Sequence, residues 1–432
     1  MSSRLLWFFP CLLLGLNCGS RGNDSIESTS GNDLEQSSEN TEMDDSTMEV
    51  DSRLLDAVEE TQARESLEIV ELGTVSLNDS GSSSLLTVSI PEDAISFSIN
   101  VIGTPGVFFA VDALRNPQDK QLIVDEWYNS PLNGNQPVIC VVCINRIASG
   151  ESAHSILVPN TPVVEVVPGE YSFRIYGFVQ SGSAFQPQFN PSPGQVDVSV
   201  VIKRSSDGAP EFGFLNLNLH FTGAGGMTAA NAASHERLQT ALKTFAEIYA
   251  GAGIGIGTLT YRDLDEGFQV VDGFSKVGND FEEIAKLTAD NPPGVNLVFV
   301  RELMDSNSPI GGFGVILGIS GGIPGPSGIQ GTSRSAVIIA TDTPSEFPTS
   351  NKDLMGPTMA HEIGHYLGLF HSSELGFGTQ QLHDHLQDTP QNDTSNLMYY
   401  DSSSGGIKLS KSQGYVLRNN PWVNLPPKEV TP

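Results

Sequence analysis

The chain has 432 residues, room for two or three domains and for a large buried core. Its 51 acidic against 22 basic residues leave a net charge of −29, which excludes a nucleic-acid partner, because gripping a phosphate backbone takes a basic footprint. Charged residues are only 17% and glycines number 44, so the composition points to a β-rich, loop-rich exported protein and away from a helical bundle.

Behind Met1 to Arg4, the apolar run Leu5 to Leu16 has the layout of a secretory signal, and with Pro10 inside it falls short of the roughly 20 residues that span a bilayer. No later apolar stretch is long enough to span; Val315 to Ile329 is broken by glycines and two prolines. The run ends at Leu16-Asn17-Cys18-Gly19, which resembles the lipobox of bacterial lipoproteins. That resemblance implies a signal peptide over 1–17, cleavage before Cys18, a lipid on its thiol, and an anchor at the bacterial outer membrane or cell surface. Plain secretion is the alternative. Residues 18–65 are Ser, Asn, Thr, Asp and Glu with few aliphatics, and 19–71 hold 16 acids against three Arg. Ordering such a segment costs entropy with little burial in return, so it reads as an acidic, disordered, self-extending tether.

Residues 66–204 change to short alternating runs, among them Leu85 to Ile90, Ser96 to Val101, Val107 to Val111, Tyr171 to Phe178 and Gln195 to Val201, separated by Gly, Pro and Asn turns. This is the pattern of a β-sandwich. Cys140 and Cys143 form a C-x-x-C within it; a straight strand would hold them roughly 10 Å apart with opposed side chains. Buried thiols or a disulfide enabled by a turn are the readings, and a metal site is disfavoured because no second pair follows.

A polar joint over Ser205 to Pro210 opens the last unit, 211–432, where strands and helices alternate as in an α/β fold. Leu215, Leu217, Leu219 and Phe221 share one strand face, which assigns His220 to the solvent side. Leu238, Ala241, Leu242, Phe245, Ile248 and Tyr249 repeat at helical spacing, with Gly251 as the stop. Strands are expected over Ile254 to Tyr261, Val295 to Val300 and Ala336 to Ala340, with a short helix over Phe281 to Leu287 between them. The glycine-rich run Gly311 to Gly331 lacks the Gly-Lys-Ser/Thr of a phosphate loop and reads as an edge strand beside a cleft or as a surface loop. His154 and His235 have no partner spacing and receive no role.

The chemistry is concentrated in His361-Glu362-Ile363-Gly364-His365-Tyr366-Leu367-Gly368-Leu369-Phe370-His371. On a helix that Pro357 can start, His361 and His365 lie one turn apart on one face, so two imidazole nitrogens can converge on one ion. Gly368 can take the left-handed conformation that ends the helix and returns the chain for a third ligand, His371. Three protein ligands leave a fourth position for water, the arrangement of catalytic zinc. The motif resembles the zinc-binding consensus of the metzincin metalloproteases, His-Glu-x-x-His-x-x-Gly-x-x-His, and Asn396-Leu397-Met398-Tyr399-Tyr400 resembles their Met-turn. The resemblance implies a metzincin-like zinc endopeptidase domain with Glu362 as general base, Met398 packed beneath the metal, and Tyr400 as a hydrogen-bond donor or displaceable ligand. Gln387-Asp388-Thr389-Pro390-Gln391 is similar to a segment of the pappalysin-type (cytophagalysin-like) group. Within the preceding loop, His383, Asp384, His385, Asp388 and Asp393 read as solvated residues, with Ca2+ near Asp388 or a second zinc as alternatives. The expected molecule is multidomain, an all-β sandwich followed by the metzincin-like α/β domain, with a protein or peptide as substrate. The rival reading is a surface lipoprotein whose sandwich binds or adheres and whose peptidase site is vestigial or highly selective.

Overall fold

The computed structural model describes residues 66–133, 137–183, 186–273, 279–304, 316–342, 353–375, 381–401 and 406–426. The signal run, Cys18 and the acidic tether lie outside the described residues, as do 311–315 of the glycine-rich run. The protein is β-rich, with several sheets and few helices.

Nine strands come first among the described residues: β1 (Leu67–Leu77), β2 (Leu86–Ile90), β3 (Ala94–Ile102), β4 (Phe108–Arg115), β5 (Gly150–Glu151), β6 (Ala153–Val158), β7 (Gly169–Ser183), β8 (Gln186–Pro191) and β9 (Gly194–Arg204). They make two antiparallel sheets, one in the order β1-β9-β3-β6 and one in the order β2-β7-β4-β5, with β8 also on β7. Alternation explains why the sheets stack. Phe97, Ile99 and Val101 of β3 and Val198, Val200 and Ile202 of β9 enter one shared core with Phe109, Val111, Tyr171, Phe173 and Ile175 of the facing sheet. The rings of Phe97 and Tyr171 meet edge to face at 5.0 Å. Between β4 and β5 the C-x-x-C segment makes a turn. Cys140 and Cys143 are joined by a disulfide with their Cα atoms 5.5 Å apart, so the geometry is that of a turn and not of a straight strand.

The remaining elements in chain order are β10 (Gly213–Phe221), α1 (Glu236–Ala250), β11 (Ile254–Asp263), β12 (Val270–Asp272), α2 (Asp280–Lys286), β13 (Val295–Val300), β14 (Glu302–Met304), β15 (Gly318–Ser320), β16 (Val337–Ala340), α3 (Met355–Tyr366), β17 (Ser373–Leu375), β18 (Gln381–His383), α4 (Lys411–Asn419) and β19 (Val423–Asn424). The main sheet runs β11-β10-β13-β16-β15, with β19 beside β10. Strands β11, β10, β13 and β16 are parallel, and β15 is an antiparallel edge. Leu215, Leu217, Leu219 and Phe221 face the core shared with α1, α3 and α4, while Val298, Val300, Ile338 and Ala340 of the same sheet pack with α2 on the other side. Tyr249 ties α1 to α3 by donating its hydroxyl to the Ala360 carbonyl at 3.1 Å. No helix of the described residues is long and apolar enough to cross a membrane.

His220 corrects the sequence expectation. It is 1% exposed, because the face opposite Leu219 is covered by the 288–296 and 330–335 segments and not by water. There Asn291 donates to His220 Nε2 at 2.8 Å and to Asn296 at 2.7 Å, and Asn296 donates to the Ser335 carbonyl at 2.7 Å. Period-two alternation marks which side chains share a face but does not reveal what covers it.

The two halves meet through the polar side of the first sheet. Asn100 exchanges two hydrogen bonds with the Ser327 backbone at 3.0 and 3.2 Å, and Ser96 donates to the Asn419 carbonyl. Lys203 Nζ donates to the carbonyls of Arg418, at 2.6 Å, Asn420 and Val423 at the end of α4. Arg334, 2% exposed, pairs with Glu151 at 2.8 Å.

Candidate metal centre

Helix α3 places the first two ligands. Pro357 sits in its first turn, where its missing N–H goes unneeded. The helix ends where the sequence demands: Gly368 has φ of +111°, Gly368 N–H donates to the His365 carbonyl at 2.8 Å, and Leu369 N–H donates back to Gly364 at 2.9 Å. This double closure is a Schellman stop, and it throws the chain back toward the helix face that carries the histidines.

His361, His365 and His371 are 2%, 0% and 5% exposed, and their ring nitrogens could hold a metal ion. His361 Nδ1 lies 2.7 Å from the Leu397 carbonyl and His365 Nδ1 lies 2.6 Å from the Leu369 carbonyl. A carbonyl can only accept, so both Nδ1 atoms carry the proton and both Nε2 atoms present lone pairs. Those lone pairs point at each other: Nε2 of His365 is 3.1 Å from Nε2 of His361, which is 3.2 Å from Nε2 of His371. One N–H from His371 could satisfy one of them but not both. A cation satisfies all three, and tetrahedral ligands at about 2.0 to 2.1 Å from zinc stand about 3.3 Å apart, close to the spacing found. Burial, with the neighbouring His371 next in weight, lowers His361 to about 3; burial also holds His365 well below its ordinary range, so both rings are neutral and able to ligate at neutral pH.

Glu362 follows His361 on α3 and is 3% exposed, with Oε2 lacking a hydrogen-bond partner. Burial pushes its carboxyl well above the usual range; a neighbouring cation acts the other way, favouring the carboxylate. Strand β15 lies against it, close enough that a Cβ on Gly318 would come within 2.5 Å of Glu362 Cγ. The glycine-rich run thus supplies an edge strand, Gly318–Ser320, beside Glu362.

The 396–398 turn supports the ligands from below. Its Leu397 carbonyl accepts a hydrogen bond from His361 Nδ1–H, and its Met398 carbonyl accepts from Ser372 N at 2.8 Å, next to His371. Met398 is fully buried, and a Cβ on Gly364 would lie 2.7 Å from its Sδ. The turn is fixed by Asn396, whose side-chain oxygen accepts from Met398 N–H at 2.8 Å and whose amide exchanges two hydrogen bonds with Gln413 of α4 at 3.0 Å each. Tyr400 is half-buried just beyond, its ring 4.7 Å from that of Tyr399. No side-chain pattern announces Leu369, Leu397, Asn396 or Gln413 as supports, because two act through main-chain carbonyls and two through pairings across many residues.

The loop expected to be solvated is largely built in. His383 contacts Ser373 Oγ at 3.2 Å and the Thr389 carbonyl at 2.7 Å, His385 donates to the Asn160 carbonyl at 2.9 Å, and Asp384 is buried. Asp388 is exposed but engaged, taking Ser410 Oγ and Ser412 N, both at 2.9 Å, at the start of α4. Asp393 caps Ser395. Among the described residues the His361, His365 and His371 group is the metal-capable cluster.

No protein-family model matches the sequence, and no curated protein does. Among solved structures, metalloproteinase-II from Bacteroides fragilis aligns at 13% identity and a TM-score of 0.27, over 51% of this chain and 62% of that one. A chaperone-substrate complex aligns at 11% identity and a TM-score of 0.27, over 54% and 38%. A family two carbohydrate esterase from Clostridium thermocellum aligns at 8% and 0.14, over 54% and 65%. At these TM-scores the likenesses bear on neither fold nor chemistry.

Proposed function

We propose that the chain is an exported zinc-dependent endopeptidase of the metzincin type, its 211–432 portion forming the catalytic domain after a signal peptide, an acidic tether and a β-sandwich. One observation carries this reading: two imidazole lone pairs fixed by carbonyl-bound Nδ1–H groups converge with His371 at tetrahedral ligand spacing, beside a buried, unpartnered carboxylate oxygen of Glu362. His361, His365 and His371 would hold the ion. Bound zinc supplies Lewis acidity, which makes water nucleophilic at neutral pH and polarises a carbonyl.

The chain's own groups do the rest. Glu362 accepts the proton of the attacking water and returns it to the leaving amine. Tyr400 donates a hydrogen bond to the oxygen on which negative charge develops. Met398 packs under α3 and carries no chemistry. The substrate is a protein or peptide. The disulfide between Cys140 and Cys143 supports export, because such bonds persist in oxidising compartments, and we place the mature protein on a lipid anchor at Cys18.

The test joins metal analysis to cleavage profiling on peptide libraries. The wild type should bind one zinc and cut; Glu362→Gln should keep the zinc and lose roughly 10² to 10⁴ in turnover, the usual worth of general acid-base catalysis. Equal cleavage by both proteins, or zinc without cleavage in either, would refute the peptidase and favour a binding lipoprotein.

A further inference from the structure

We propose that Arg146, in the loop between β4 and β5 of the N-terminal half, is a positioning residue for His371, acting through Phe370 and strand β18. The proposal rests on the His cluster being a working zinc site.

The three histidines do not share one element. His361 and His365 ride one helix, and each has a carbonyl that fixes its ring. His371 lies beyond Gly368, off the helix, and the residues on either side of it are gripped from distant parts of the fold. On one side Ser372 N–H donates to the Met398 carbonyl at 2.8 Å, and the Ser372 carbonyl accepts from Asp384 N at 3.3 Å. On the other side the grip comes from a loop more than 200 residues earlier. The Arg146 guanidinium carbon lies 5.9 Å from the centre of the Phe370 ring, and Nη1 donates to the His383 carbonyl at 2.7 Å. Phe370 also packs with Ala148, Ile139 and Ile323.

A circuit closes around that ring. His385 stands edge-on to Phe370 at 6.0 Å and donates to the Asn160 carbonyl at 2.9 Å, while the Asn160 side-chain amide donates to the Arg146 carbonyl. Asp384, buried between His383 and His385, adds the opposite charge near the guanidinium. The loop that presents Arg146 is itself braced: Cys140 is bonded to Cys143, Cys140 N–H donates to Ile147 at 2.9 Å, and Asn133 Nδ2 donates to the Ile139 carbonyl at 2.9 Å. Only a planar guanidinium can lie over a ring and donate in its own plane at once, so lysine is no equivalent here. Groups that orient a ligand without touching the ion typically matter 10- to 100-fold in metal affinity.

The experiment uses the full chain and reads zinc affinity by competition with a chromophoric chelator, together with the absorption spectrum of the cobalt-substituted protein, which reports ligand geometry. Arg146→Ala should weaken zinc roughly 10- to 100-fold and shift the cobalt spectrum, with free guanidinium ion restoring part of both. Arg146→Lys should fall between wild type and Arg146→Ala, and it decides the matter if the alanine variant does not fold. Ser96→Ala, which loosens another part of the same interface, should leave zinc affinity and spectrum unchanged. The proposal is overturned if Arg146→Ala folds and holds zinc like the wild type with the same spectrum, or if Ser96→Ala weakens zinc equally. A wild type that binds no zinc would instead overturn the reading of the site, and this proposal with it.

Discussion

Two buried polar regions of this protein look alike by composition and are opposite in chemistry. At the junction of the halves, donors meet acceptors: Lys203 spends its ammonium on the carbonyls of Arg418, Asn420 and Val423, Arg334 lies on Glu151, and Asn100 exchanges hydrogen bonds with Ser327. At the His cluster, the Nε2 lone pairs of His361 and His365 face each other 3.1 Å apart, with His371 Nε2 at 3.2 Å from the first and Glu362 Oε2 unmatched. The first region pairs its charged and amide groups across the junction, with scattered single atoms, Arg334 Nη1, Ser327 Oγ and Asn419 Oδ1, left over. The second is balanced only by a cation, since burying polar groups without partners costs free energy that a ligand must return. Buried polarity alone therefore does not mark a site, and neither does one unmatched atom; acceptors converging on one point do.

The sharpest way to break the comparison is to remove one lone pair. His365→Ala should abolish both zinc binding and cleavage, read by metal analysis and by peptide-library profiling. Gly364→Ala attacks the support instead. Its new methyl would stand 2.7 Å from Met398 Sδ, and overpacking of this kind costs about 1 to 3 kcal/mol in chemical denaturation, with zinc weakened as the Leu397 carbonyl moves off His361.

On the paired side, Lys203→Met should leave three carbonyls unmet and cost about 1 to 3 kcal/mol, with zinc retained. This loss should depend on pH. Burial lowers Lys203 from its ordinary value to about 7, so between pH 7 and about 10 the unfolded chain binds a proton that the folded one has shed. Stability then rises with pH across that window, and below pH 7 the full penalty of burying the charge remains. Thermal melts at pH 7 and 9 should show the wild type gaining on Lys203→Met as pH rises; a constant gap would show that the lysine is not shifted. The smallest effect is expected from Ser96→Ala, which removes one hydrogen bond to Asn419 and should cost about 0.5 to 1.5 kcal/mol.

Local patterns along the chain carried many of the strands, the helix α1 and the ligand spacing. Alternation placed Phe97, Ile99 and Val101 in one core and Leu215, Leu217 and Leu219 in another, and helical spacing predicted α1 from its buried face. His361, His365, Gly368 and His371 were legible because i, i+4 geometry and a left-handed stop are local rules, set within a dozen residues of backbone. What covers each face follows from long-range packing. Ser96, Asn100 and Lys203, polar residues of the sandwich strands, are buried against α4 and the 327 segment, and His220, assigned to the solvent side, is buried as well. Tertiary packing likewise decided that Cys140 and Cys143 turn toward each other, that Leu397 and Leu369 fix the imidazoles, and that Arg146 reaches Phe370. The physical reason is range: a hydrogen bond or a packed face between residues hundreds of positions apart depends on how sheets and helices stack, and no spacing rule along one segment carries that information.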